Sequence, residues 1–180
     1  IRLKRFDKAL AAVATMEAQQ PKDAAVQNLK GGVYLAKGDA ANARAAFKKA
    51  IALQASYFPA VANLSQLEMK EKKPDLARKH LTAFLEKNPK SVEAMAGLAE
   101  LAQLQGKPAE VTQWREKALA ENPDAVMPAM LLANHYLRTG ARDKALTLAR
   151  KFQVANPNNP ELLDLLGQAQ MANGDKDGAL

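Results

Sequence analysis

The 180 residues suffice for one compact domain or a short solenoid; 48% of them are apolar, alanine above all, and only 5% are aromatic, which suits closely packed helices better than a sheet core rich in β-branched and aromatic side chains. With no cysteine the chain has no disulfide, thiolate metal site or cysteine nucleophile, and its longest promising apolar stretch, residues 127–133, falls far short of the ~18 residues a membrane span requires. The net charge of +7 raises a nucleic-acid reading that the distribution of the charge has to decide.

The first predicted element is a lone helix over about residues 5–20, with the small Ala9 in its middle. From Ala9 the chain repeats every 34 residues, through Ala43, Ala77, Val111, Ala145 and Ala179, the places where two helices cross closely. Pro21 stops this helix, and its column continues as Ala55, Pro89, Pro123 and Pro157.

A first full repeat opens at Ala24. Leu29, Val33 and Tyr34 are expected to mark its first apolar stripe, with the small Gly31 beside them. Gly38 turns the chain in a left-handed conformation, Asp39 caps the second helix, and Ala43, Phe47, Ala50 and Ile51 form that helix's stripe. The repeat from Phe58 follows the same plan with Leu64, Ser65, Leu67, Ala77, Leu81 and Phe84. Its turn carries Lys72 where the other repeats carry glycine, a strain of roughly 1 kcal/mol. Pro74 then opens the second helix, where proline is tolerated.

Ser91 caps the next repeat, which runs from Val92 through Leu98, Ala99, Leu101, Gly106, Pro108, Val111, Ala118 and Leu119. The repeat from Val126 carries Ala133, Gly140 and Ala145. Asn159 caps a truncated repeat from Pro160, with Gly167, Gly174 and the capping Asp175. No insertion breaks the register. The boundaries are thus 1–23 for a second helix, 24–57, 58–91, 92–125 and 126–159 for full repeats, and 160–180 for the truncated one, all in one array. Neither end has the polar cap that a terminal repeat needs, so the chain is expected to be a stretch of a longer array.

These columns resemble the tetratricopeptide repeat. Gly31 with Tyr34, Ala133 with Tyr136, and Ala43 with Phe47 and Ala50 match its pattern, whereas Ala55, Gln27 and Arg115 (beside Trp114) depart from it. The resemblance implies an all-α fold, a right-handed superhelical solenoid of antiparallel helix pairs with first helices lining a concave face. It implies a peptide or protein partner on that face, with Asn28, Gln66, Met69, Lys70, Glu100, Gln103, Met130, Asn134 and Arg138 as groove contacts. Gly32, Leu35, Ala62, Ala96 and Leu137 share the same faces. Some members clamp a terminal carboxylate with lysine, asparagine and arginine; the matching Asn28, Gly32, Asn63, Glu93 and Gly97 lack the cations.

By repeat, the charge runs +2, +4, +3, −3, +4 and −3 from the first segment to the last, so its sign alternates. Many cations, including Lys48, Lys49, Arg78, Lys79, Arg150 and Lys151, fall on second helices without interleaved aromatics, which argues against a nucleic-acid stripe. His80 and His135 stand far apart and have Phe84 and Thr139, not metal ligands, four residues on. Glu161 and Asp164 read as solvated charges of a first helical turn. No catalytic residue, cofactor site or metal site is expected, and the chain reads as a non-catalytic scaffold.

A narrower resemblance rests on NLKGGVYLAKGD (28–39), YFPAVANL (57–64), KKPDLARK (72–79), HYLRTG (135–140) and NPELLDLLGQAQMANGDK (159–176). These strings are similar to the large tetratricopeptide lipoproteins of the bacterial PEP-CTERM/exosortase system, the PrsT family. That likeness implies an exopolysaccharide or protein-sorting role at the cell envelope, with a lipid anchor outside this stretch. A cytoplasmic adaptor and a non-catalytic segment of a larger enzyme are the alternatives.

Overall fold

The computed structural model describes the backbone of residues 2–175 and of residue 178, with side chains described from Arg5 onward. Ala179 of the small-residue column and Lys176 of the last quoted string lie outside these. Ten α-helices and no strand lie among the described residues. They are α1 (Arg2–Gln19), α2 (Ala24–Lys37), α3 (Ala40–Leu53), α4 (Phe58–Lys70), α5 (Pro74–Lys87), α6 (Val92–Leu104), α7 (Pro108–Glu121), α8 (Val126–Thr139), α9 (Arg142–Ala155) and α10 (Pro160–Ala172). First helices α2, α4, α6 and α8 begin 34 residues apart, and so do second helices α3, α5, α7 and α9.

Local chemistry sets these ends. Asp39 Oδ1 accepts the Asn42 N–H at 3.0 Å, Ser91 Oγ that of Ala94 at 3.2 Å, and Asn159 Oδ1 those of Glu161 and Leu162 at 3.0 and 3.2 Å. Each side chain satisfies backbone donors that the first helical turn leaves free. Asp23 does the same for α2, accepting from Ala25 at 2.7 Å, a cap the repeat pattern does not reveal. Asp175 accepts the Gly178 N–H at 3.0 Å; the helix it was expected to start falls mostly on residues not described.

At the C-terminal ends, Asn88, Asn122 and Asn156 each turn their side-chain amide back to donate to the carbonyl four residues earlier, at 3.0–3.1 Å. This asparagine, standing before Pro89, Pro123 and Pro157, occupies orphan helix carbonyls just where the proline ends the helix.

Gly38, Gly106, Gly140 and Gly174 have φ of +89°, +68°, +80° and +85°, and Lys72 in the same column has +59°. Lys72 therefore carries the expected left-handed strain. Lys72→Gly should stabilise the chain by about 0.5–1 kcal/mol, the left-handed cost of roughly 1–2 kcal/mol less the freedom glycine adds to the unfolded chain. A urea midpoint that stays put or falls would contradict this.

The helices group into two compact units, Ile1–Leu101 and Ala102–Leu180. In the first, α2 pairs with α3 and α4 with α5, while α1 packs on α2 and α3 on α4. Phe47, fully buried, sits with Ala43, Leu64 and Leu67, and Phe58 meets Phe84 edge-on at 5.3 Å. In the second, α8 pairs with α9, flanked by α7 and α10, around Leu132, Tyr136, Phe152, Leu162 and Leu165. Ala43, Ala77, Val111 and Ala145 are all buried, consistent with close helix crossings. Each unit is thus an all-α stack of antiparallel helix pairs.

One stripe needs correction. Leu29 is 46% exposed, and α2 instead buries Ala24, Val26, Gln27 and Gly31. Leu29 follows Gln27 by two residues, about 200° around the helix, so it points away from the buried face.

Candidate functional site: the first-helix faces

In the first unit the expected groove positions stand on the first helices α2, α4 and α6. Gln66, Lys70 and Glu100 are exposed; Asn28 and Met69 are half-buried. Asn63 Nδ2 donates to Asn28 Oδ1 at 2.9 Å, tying adjacent first helices together. Gly32 beside this bridge has open space where a side chain would be, whereas a Cβ on Gly97 would come within 3.0 Å of Leu81. Gly97 thus belongs to the α5–α6 contact.

Beneath these faces lie two ionic hubs. Gln27, 1% exposed, takes the place of a large apolar residue and donates to Glu17 at 2.7 Å; Lys30 and Lys49 reach the same carboxylate at 2.7 and 2.8 Å. These contacts, Lys30 first, hold the Glu17 pKa down to about 2. In the second hub Arg44 Nε donates to Glu68 at 2.8 Å and Nη2 to Glu71 at 2.7 Å, which Lys73 also reaches at 2.6 Å. Glu68 is 1% exposed. The bonds to Glu68 and then Glu71 raise the Arg44 pKa, while Lys73 and then Arg44 lower that of Glu71. His80 Nε2 stands 3.9 Å from Glu68; burial lowers its pKa, and the attraction of Glu68 opposes that. Both hubs cross from a second helix to the next first helix, so they orient neighbouring repeats.

In the second unit Asn134 and Arg138 are exposed one turn apart on α8, and Met130 is half-buried against the core. Arg138 and Gln103 line one cleft with Gly106, Lys107, Pro108, Val111, His135 and Thr139. His135 is 4% exposed, with Nε2 2.7 Å from Thr112 Oγ1. Burial, then the charges of Arg115 and Arg138, lower its pKa; Glu116 acts against them. Arg115 donates from Nη1 to the Leu131 carbonyl at 2.6 Å, and its buried Nε has no hydrogen-bond partner among the described residues. Tyr136 donates to Glu116 at 2.7 Å, and burial followed by this contact pushes its pKa up to about 12.

His135 and Lys107 were not among the expected contacts. The signal for His135 was present: its column reads Val33, Leu67 and Leu101 before it, so an imidazole replaces an aliphatic side chain. Among the described residues no three potential ligands gather to hold a metal ion, and no helix is long and apolar enough to cross a membrane.

A tetratricopeptide repeat family model matches residues 1–57, 63–126, 111–160 and 130–180. The chain belongs to the tetratricopeptide repeat family. Solved tetratricopeptide-type structures share its fold. PilW, a type IV pilus biogenesis factor, is 17% identical with a TM-score of 0.65 over 99% of this chain and 83% of that one. PilF of Pseudomonas aeruginosa is 17% identical with a TM-score of 0.64 over 99% and 81%. YrrB, described as a tetratricopeptide protein with an unusual peptide-binding site, is 14% identical with a TM-score of 0.55 over 96% and 89%. At these identities the likeness concerns the fold alone. No curated protein sequence matches this tetratricopeptide chain.

Proposed function

We propose that the chain is a non-catalytic scaffold that holds a protein or peptide partner on its first-helix faces, the side that the family's superhelix makes concave. The observation that carries this reading is the division of labour among side chains. Glu17, Arg44, Glu68 and Glu71 are consumed in contacts between repeats, while Gln66, Lys70, Glu100, Asn134 and Arg138 stay exposed on first helices. Exposed amides and a half-buried methionine beside them suit an extended peptide or a partner helix. The PEP-CTERM-like strings support placing the scaffold at the cell envelope, in an exopolysaccharide or protein-sorting apparatus.

Capture on the immobilised chain, from separate envelope and cytosolic extracts, tests both parts. Gln66→Ala with Met69→Ala, and separately Asn134→Ala, should lower recovery of a captured partner about tenfold, or about 1.4 kcal/mol. Lys48→Ala and Lys79→Ala on second helices should leave it unchanged. Recovery from the cytosolic extract alone would move the protein to the adaptor reading.

A further inference from the structure

The cleft of the second unit lies between the start of α7 and the end of α8. Val111, which is buried, gives the cleft an apolar floor with the exposed Pro108 at its side, and the exposed Lys107 and Arg138 belong to the same lining. Its volume of about 230 Å³ is below the usual range for a small-molecule pocket and suits one or two side chains. Among the described residues no carboxylate lines it. Glu110 approaches Lys107 Nζ only to 3.8 Å, and Arg138 makes no ion pair among the described residues. The Arg138 charge is instead felt as repulsion by Arg115 and His135. Arg44, Lys30 and Lys49, by contrast, each hold a carboxylate at 2.7–2.8 Å.

His135 forms one wall of this cleft. Thr112 Oγ1 lies 3.2 Å from the Pro108 carbonyl and 2.7 Å from His135 Nε2. The second contact holds the imidazole in place as a titratable reporter beside Arg138.

We propose that this cleft binds the side-chain carboxylate of an acidic peptide segment, paired by Arg138 and Lys107, while the floor takes the neighbouring aliphatic side chain. The apolar floor disfavours a phosphate, and no phenylalanine, tyrosine or tryptophan lines the cleft among the described residues to stack a nucleobase. This inference rests on the scaffold reading and names the chemistry of one of its contacts.

The test is an NMR titration of the full chain with a blocked peptide alternating glutamate and leucine. His80, in the other unit, serves as the internal reference. The peptide should move the His135 ring signal and raise its titration midpoint by about half a unit to one unit, because a nearby anion favours the imidazolium. The His80 signal should stay. A glutamine-for-glutamate peptide, and the exposed Arg138→Gln and Lys107→Gln variants with unchanged helicity, should each bind about tenfold more weakly or worse. Equal binding of the two peptides, no response at His135, or an equal response at His80 overturns the proposal. So does the same His135 response to acetate or inorganic phosphate at matched concentration, which would mark a plain anion site. If the cleft fails while the Gln66, Met69 and Asn134 variants still lose their partner, the scaffold reading stands without it.

Discussion

Phe47→Ala should cost the chain about 3–5 kcal/mol, the usual range for removing a fully buried phenylalanine. Phe47 has no exposed surface, and it fills the gap left by the missing side chain of Gly31 on the facing helix. A Cβ placed on Gly31 would collide with the Phe47 ring. Gly31→Ala should therefore destabilise by about 1–3 kcal/mol through overpacking. The two sites are in contact and should couple: in a Phe47→Leu background, Gly31→Ala should cost much less than it does alone. Urea unfolding of the four proteins measures this directly. Additive effects would mean that the ring does not occupy the glycine notch.

Arg44→Met should be comparably damaging, at about 3–5 kcal/mol, because it leaves the Glu68 carboxylate buried without its cation. The double change Arg44→Met with Glu68→Leu should recover most of that loss, since an apolar pair avoids burying any charge. The pH response carries a second signature. In the parent chain the folded-state pKa of His80 lies below 6.5, lowered by burial and by Lys48, Lys79 and Arg44 against the pull of Glu68. A lowered histidine pKa means that the unfolded chain binds the proton more readily, so His80 removes stability as pH falls below 6.5. Without Arg44 one repulsive charge is gone and Glu68 lacks its main partner. The acid-side loss due to His80 should then shrink. A double variant as unstable as Arg44→Met alone would show that the ion pair is not the source of the effect.

These two results draw on parts of the fold that differ in how openly the sequence displays them. The Gly31 notch and Phe47 stand in columns 34 residues apart from their counterparts, and the glycine turns, the strained Lys72 and the caps at Asp39, Ser91 and Asn159 are all local patterns. Local patterns are legible because a short peptide already contains both partners of the interaction. The Arg44–Glu68 pair spans 24 residues, and the Lys49–Glu17 contact 32. A repeat pattern says which face a residue occupies but not which charged side chains meet between neighbouring repeats. Glu68 did leave a trace, since it stands in a column with Tyr34 and Tyr136, as His135 stands in one with leucines. Polar residues at buried repeat positions are thus the readable sign of both hubs and of the cleft. Leu29 failed for the opposite reason: an apolar residue with plausible spacing lay on the solvent side of α2.

The proposed scaffold holds its partners on first helices, not on second helices. This is tested most directly by the ratio of partner recovery between the Asn134→Ala and Lys79→Ala chains in one capture experiment. Recovery about tenfold lower for the first-helix variant, with parent-level recovery for the second-helix variant, is the predicted result. Equal recovery by both, or loss confined to Lys79→Ala, would contradict it.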